Sequence, residues 1–383
     1  MTPSEAAAVI DGGGLVLVPT ETVFGVAASA SNPQARARLW SVMCGGSASP
    51  ANREPLPALA WHAPTTSKAS EVIQMALGNI PATHARVLDR LTPGPVLLAV
   101  AMPDRSLEAF RSALAVPAGV FDDTREALIR VPSHPAAGAL LAAAASPVVM
   151  AGVTAPHRLR DADDAMSMIE SLSPGTQIDA TIDAPPPPLG KPSTMIRLHT
   201  APGTDPRGTY EVVREGIYDA PFIERRLARN ILFVCTGNTC RSPMAQAIAR
   251  HLLETAASPL PGVPRVTIDS AGVSAYPGAP ATPEAVQALA ALGIKPQPHA
   301  SMPLTRAMLS DAEAVFAMTA SHAHTARSID PASAHKVTVL DPLGADIPDP
   351  IGAPLDVYQS TARTIREFIE ARFAELGLLE KPR

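Results

Sequence analysis

The sequence predicts an α/β protein in two parts, an α+β sheet domain followed by a doubly wound parallel-sheet domain. Three observations carry that reading. The chain has 383 residues, long for one hydrophobic core. Up to about residue 216, strand-like and helix-like stretches interleave irregularly, with several strands close together. From "RNILFVCTG" (229–237) onward, strands alternate with helices, the pattern of a parallel sheet covered on both faces.

In the first part, "GLVLVPT" (14–20) reads as a buried strand ending at a turn, and "NPQARARLWSVM" (32–43) and "SKASEVIQMALGNI" (67–80) as helices. "GPVLLAVAM" (94–102) and "ALIRVPS" (127–133) are strand-like, and "PAAGALLAAAA" (135–145) is helical with Pro at its start. In the second part a strand, loop and helix occupy 231–254. A strand at "RVTIDSAG" (265–272) and a helix at "ATPEAVQALAALG" (281–293) follow. Strands within "LSDAEAVFAMT" (309–319) and at "HKVTVLDP" (335–342) precede a long amphipathic helix at 356–376. The joint falls in the charged stretch "GIYDAPFIERRLAR" (216–229), so the expected division is 1–217, a linker at 218–228, and 229–383. No internal repeat relates the halves.

Composition narrows the function classes. A net charge of −5 argues against a generally basic nucleic-acid surface. The 41 prolines are scattered, and their densest cluster, "DAPPPPLGKP" (183–192), reads as one extended loop. No stretch approaches eighteen uncharged apolar residues, and the N-terminus lacks a basic segment followed by a long apolar run. Three cysteines, Cys44, Cys235 and Cys240, make no disulfide framework and suit a reducing compartment. The expectation is a cytoplasmic protein with no membrane partner.

The most informative segment is "VCTGNTCRSP" (234–243). Between a strand and a helix it lies at the carboxyl edge of a parallel sheet, where ligands bind. The backbone N–H groups of 236–241, comprising Thr236, Gly237, Asn238, Thr239, Cys240 and Arg241, with the N-terminus of the following helix, would form an anion nest. Gly237 allows close approach and Asn238 tolerates positive φ. The Cys235 thiol at its mouth would feel the helix dipole, the N–H donors and Arg241, each favouring thiolate. Arg241 can grip two phosphate oxygens in a fork, and Ser242 can hydrogen-bond the sulfur as it leaves. This describes attack of sulfur on a phosphoryl group through a cysteinyl-phosphate, with no metal. The bland alternative, two buried cysteines beside a chance arginine, explains neither the preceding strand, the internal Gly-Asn nor the following Ser-Pro.

Such chemistry needs a carboxylic acid to protonate the leaving group and then accept a proton from water. "DIPDPIGAPLDVY" (346–358) offers Asp349 and Asp346, and "LDPLG" offers Asp341.

Residues 229–378 resemble the low-molecular-weight protein-tyrosine phosphatase family in "VCTGNTCRSPMA", "SAGV", "PATPEAVQALAALGI" and "DPIG" followed by Tyr358. The resemblance implies that Cys235 is the nucleophile, Arg241 the phosphate clamp and Asp349 the general acid, with no cofactor and a phosphorylated protein as substrate. It also implies that Cys240 can trap oxidised Cys235 as a disulfide, packing being the alternative. In this family a bulky aliphatic residue four after the nucleophile suits phosphotyrosine; Thr239 is similar to the bacterial protein-arginine phosphatases. Ile351 stands where an aromatic residue is usual in both groups, so phosphotyrosine and phosphoarginine both stay open. Arsenate reductase shares this fold, but its resemblance requires downstream cysteines, and none follows Cys240.

The first half resembles the YrdC-like threonylcarbamoyl-AMP synthase family in "GGLVLVPTETVFGVAASASNPQA" (13–35), "LTPGPVLLAV" (91–100), "IRVPSHPAAGALL" (129–141), "GKPSTMIRL" (190–198) and "VVREGI" (212–217). The positions matching that family's ligand contacts are Thr20, Thr22, Arg130, Ser193, Thr194 and Arg214. The resemblance implies a site for ATP and threonine in a tRNA-modification pathway, hence nucleotide, threonine or RNA as partners. The departures are in the ligand set. The family's Lys-x-Arg pair falls in "SVMCGGSASPANREPL" (41–56), where Arg53 alone is basic. Its Ser-x-Asn becomes Gly152 and Thr154, and a usual threonine becomes Leu97. Losing charged hydrogen bonds at roughly 1.5–3 kcal/mol each would weaken polyphosphate binding. An active synthase, an altered nucleotide- or RNA-binding domain and an inert scaffold are the three readings of this half. His62 is a further candidate ligand there, with an ordinary structural histidine as the alternative.

Overall fold

A computed structural model describes residues 1–43, 59–117, 120, 125–153, 155, 157–199, 207–256, 262–295 and 297–379. Cys44, Arg53 and Thr154 lie outside the described residues. The chain forms two compact units, Met1–Leu227 with Pro261–Val263, and Ala228–Leu260 with Pro264–Arg383.

Among the described residues of the first unit, nine strands make one mixed sheet. They are β1 (Val16–Pro19), β2 (Phe24–Ser29), β3 (Ala60–His62), β4 (Val96–Ala101), β5 (Glu126–Arg130), β6 (Val148–Gly152), β7 (Ala180–Thr181), β8 (Thr194–His199) and β9 (Thr209–Arg214). Their order is β7-β1-β2-β6-β3-β5-β4-β8-β9. The continuous apolar run at 15–18 follows from burial on both faces. Leu15 and Leu17 join a core with Trp61 and Phe110, while Val16 and Val18 pack with Ile10, Leu140 and Leu141. That second core is closed by the helices Pro3–Asp11 and Pro135–Ala143. Further along the same sheet, Ala60, Ala99 and Leu128 form only a small cluster, with Leu97 and Met195 partly buried. His62 and Arg130 are two residues on from Ala60 and Leu128, so period-2 alternation puts them on this face.

Residues 218–228, expected as a linker, need correcting. Ala220–Leu227 is a helix, and Ile223 and Leu227, four residues apart, are fully buried in the first unit's core. Its charged residues mark the outward face of an amphipathic helix, not an extended connector. Asp219 starts it by accepting the N–H of Phe222 at 2.8 Å.

Among its described residues the second unit has four parallel strands, β10 (Arg229–Cys235), β11 (Val266–Gly272), β12 (Ala314–Ala317) and β13 (Val337–Val339), in the order β11-β10-β12-β13. Alternation along β10 sends Ile231, Phe233 and Cys235 to one core and Leu232 and Val234 to the other. The first core takes Ile248 of helix Arg241–Ala256, Leu289 of Pro283–Ala291 and Ile365 of Leu355–Glu375. The second takes Leu309 of Arg306–Asp311 and Ala323 of Ala320–Ile329. This is the doubly wound sheet expected. The chain leaves β10 for β11 on one side and returns to β12 on the other, so the strand order reverses at the carboxyl end of β10, where such sheets bind ligands. Among the described residues no helix is long and apolar enough to cross a membrane.

Candidate active site

Cys235 ends β10 and Arg241 begins the next helix, so the intervening five residues must turn sharply. Asn238 takes the turn at φ 56°, in the left-handed region that asparagine tolerates. It is fully buried, and every polar group of it is used. Its backbone N–H reaches the Cys235 sulfur at 3.3 Å, and its side-chain amide donates to Ser242 Oγ and Ser270 Oγ, each at 2.9 Å. Its Oδ1 accepts the Met302 N–H at 2.8 Å, and its backbone oxygen lies 2.7 Å from His299 Nε2. Ser270 in turn donates to Gln246 Oε1 at 2.8 Å. The loop shape is thus imposed by strand β11 and the segment 299–302 as well as by local sequence.

Gly272 completes the support. A Cβ there would lie 2.4 Å from Thr236 O and 2.9 Å from Asn238 N, so only glycine lets β11 pass this close.

The Cys235 sulfur is buried, 3.0 Å from Ser242 Oγ. Arg241 is only 3% exposed. Its Nη1 donates to Ile347 O at 2.9 Å, its Nη2 pairs with Asp349 Oδ2, and its buried Nε has no partner among the described residues. Of the three candidate acids, Asp349 is therefore the one brought to the loop. Asp346 accepts the Ala320 N–H at 2.7 Å, and Asp341 accepts the Leu343 N–H at 2.7 Å, the ordinary work of cap and turn aspartates. Cys240 is buried, with its sulfur 3.5 Å from the Tyr358 hydroxyl. Burial, then that contact, pushes the Tyr358 phenol up to about 12. Ile351 is 65% exposed, and Thr239 Oγ1 lies 3.7 Å from the Cys240 sulfur, a weak partner.

Sequence reasoning missed His299, Ser270, Gln246 and His322. His322 lies 2.8 Å from Thr236 Oγ1 and 2.9 Å from Thr319 Oγ1. Burial first, then Arg241, holds its pKa below the ordinary histidine value. The one available signal was Thr319, which caps the helix that carries it.

In the first unit the structure gathers Thr20, Thr22 and Arg130. Arg130 Nη2 donates to Thr22 Oγ1 at 2.7 Å, to Thr20 Oγ1 at 3.4 Å and to Glu21 Oε1 at 2.8 Å. Glu21, absent from the expected set, also accepts the N–H groups of Ser133 and His134 at 3.1 and 3.3 Å. Leu97 faces Arg130 in register across β4 and β5. His62 pairs with Arg130 across β3 and β5, and burial followed by that cation lowers it to about 3. Thr194 is spent structurally: its hydroxyl donates to Tyr218 O at 2.7 Å and accepts from Gly216 and Tyr218 N–H. Arg214 is exposed and donates to Ser193 O at 3.2 Å. Among the described residues no group of three or more His, Cys, Asp or Glu side chains is placed to hold a metal.

Comparison with known proteins agrees with both halves. Residues 230–380 match the family described as low molecular weight phosphotyrosine protein phosphatase, and residues 8–216 match the Sua5/YciO/YrdC family, described as telomere recombination. The protein-arginine-phosphatase of Bacillus subtilis is 38% identical over 144 residues, 37% of this chain and 91% of that protein. A probable low molecular weight protein-tyrosine-phosphatase, EpsP of Ralstonia nicotianae, is 34% identical over 146 residues, 38% of this chain and 94% of that protein. Among solved structures, the YwlE arginine phosphatase from Geobacillus stearothermophilus is 35% identical, covers 39% of this chain and 93% of its own, and has a TM-score of 0.35. The chain thus belongs to two families, the Sua5/YciO/YrdC family through its first half and the low molecular weight phosphotyrosine protein phosphatase family through its second.

Proposed function

We propose that the second unit removes phosphoryl groups from protein through a cysteinyl-phosphate on Cys235. The observation that carries this is Arg241: a buried guanidinium with one Nη on a backbone oxygen, the other on Asp349, and an unpartnered Nε. A bound phosphoryl group supplies the acceptors that Nε lacks, and takes over Nη2 from Asp349. The Cys235 thiolate then forms a bond to phosphorus while the bond to the leaving atom breaks, and Asp349, which takes up a proton from solvent once the phosphoryl group has displaced it from Arg241, gives that proton to the leaving atom. In the second step the Asp349 carboxylate takes a proton from water, whose oxygen displaces sulfur and releases phosphate. Ser242, 3.0 Å from the sulfur, steadies the departing thiolate. Cys235→Ser should abolish hydrolysis of para-nitrophenyl phosphate while keeping oxyanion binding, and full activity in that variant would refute the assignment.

Between the two phosphoryl substrates we favour phosphoarginine. Thr239 puts a weakly engaged hydroxyl in the loop wall where a guanidinium can use a hydrogen bond, and the relative above that shares 38% identity is named as an arginine phosphatase. Comparing kcat/KM for phosphoarginine and phosphotyrosine peptides decides it.

For the first unit we propose binding of a nucleotide or RNA without synthase turnover. Arg130, one of the positions that match the synthase family's ligand contacts, is already held by Glu21, which speaks against synthase turnover rather than against binding through the other polar groups of this half. Pyrophosphate release requiring ATP, threonine and bicarbonate together would overturn this.

A further inference from the structure

We infer that His322 is a positioning residue of the phosphatase site, the link by which one helix turn holds the nucleophile loop in register with the acid-bearing segment. The inference rests on the assignment of Cys235, Arg241 and Asp349 proposed above.

The turn in question begins the helix Ala320–Ile329, directly after β12. It reaches both sides of the site. Toward the acid, the Ala320 N–H donates to Asp346 Oδ1 at 2.7 Å, and Ile347 N donates to Met318 O at 2.9 Å. Asp346 and Ile347 lie three and two residues before Asp349, and Ile347 O is also the anchor of Arg241 Nη1. Toward the nucleophile, the contact is the His322 ring on Thr236, the residue after Cys235.

The ring is not needed for the helix itself. Thr319 caps the helix by accepting the His322 backbone N–H at 3.2 Å, a bond any residue at 322 could make. The imidazole instead bridges two hydroxyls, Thr319 Oγ1 at 2.9 Å and Thr236 Oγ1 at 2.8 Å. A neutral imidazole donates at one nitrogen and accepts at the other, so both hydroxyls are ordered whichever tautomer is present. Burial first, then Arg241, favours that neutral ring, and Asp349 and Asp346 oppose them. Thr236 is exposed, so core packing does not fix its side chain; the 94%-buried histidine does. Loosening this contact frees the loop beside the nucleophile to drift relative to Asp349, and in-line transfer is sensitive to such drift.

The test is a double-mutant cycle on the full chain, with His322→Ala, Thr236→Val and the pair, using para-nitrophenyl phosphate and vanadate. Each single substitution should lower kcat about tenfold. The pair should lower it by the same factor, not by the product of the two. KM, vanadate affinity and the melting midpoint should stay near wild type. His322→Asn, whose amide can still donate and accept, should recover part of the rate. Multiplicative losses, or a loss that appears as a lowered melting midpoint with kcat retained, overturn the inference. Should His322→Ala fail to fold, Thr236→Val removes the same bond from outside the helix, and a wild-type kcat there overturns it equally. An active Cys235→Ser would sink the underlying site assignment instead. An inactive Cys235→Ser with a multiplicative cycle sinks only the role of His322.

Discussion

Each unit holds a buried arginine against a carboxylate, and the two pairs differ in whether a ligand could take the carboxylate's place. Arg241 and Asp349 have side chains 4% and 37% exposed. Arg130 and Glu21 are 9% and 7% exposed, and Glu21 is further anchored by two backbone N–H groups. An incoming oxyanion can displace Asp349 toward solvent at little cost. Displacing Glu21 would strand a charge in the interior, where breaking a pair costs far more than the pair contributes. An arginine and a carboxylate thus make an open clamp in one unit and a closed brace in the other.

The sharpest way to break the comparison is to remove the clamp. Arg241→Ala should lower kcat/KM for para-nitrophenyl phosphate about a thousandfold, roughly 4 kcal/mol of transition-state stabilisation. A loss of tenfold or less would mean that Arg241 is only a structural cation. Next in size is the carboxylate contrast, read by denaturant unfolding. Glu21→Gln should destabilise the first unit by about 3 kcal/mol, since it leaves Arg130 buried beside a neutral amide. Asp349→Asn should cost the second unit less than that, because the Asp349 side chain is 37% exposed and water there can take over the Arg241 Nη2 hydrogen bond. Equal costs would erase the distinction between clamp and brace.

Acid should separate the units further. His62, lowered to about 3, and His84, lowered to about 4, are both in the first unit, and burial is the leading cause for each. The unfolded chain binds protons near pH 6.5 that these folded histidines refuse, so their contribution is complete above that pH and declines as pH falls toward 3. His62 alone should account for about 2 kcal/mol between pH 6.5 and about 4.5, and His62→Gln should flatten that slope. The smallest effect concerns the rim. Ile351→Phe should lower KM for an aromatic phosphate a few-fold by adding a stacking surface, roughly 1 kcal/mol. An unchanged KM would place the leaving group away from residue 351.

The comparison also explains what could be read in advance. The loop proposed to bind phosphate is contiguous, "CTGNTCRS", and an anion nest needs only consecutive N–H groups after a strand, so spacing alone suggests it. The first unit's polar cluster joins segments near residues 20, 62 and 130, and the role of Glu21, between Thr20 and Thr22, depends on Arg130 more than a hundred positions away. The helix at 220–227 was hidden because three consecutive charged residues, Glu224, Arg225 and Arg226, obscured two buried apolar positions four apart. Helix Ala320–Ile329 was hidden in a stretch of alanine, serine and histidine with little periodic hydrophobicity, and His322 went with it.

What the chain's own order determined was the parallel alternation after residue 229 and the loop that follows its first strand, because both depend on neighbours in sequence: side-chain period along a strand, and backbone amides along a turn. Which of Asp341, Asp346 and Asp349 meets Arg241 was decided only by tertiary structure. Those residues lie about a hundred positions away, and local pattern cannot distinguish three aspartates in similar turns. The same holds for whether an arginine is open or braced, since that depends on which distant carboxylate folding carries to it and on how much water is left around the pair.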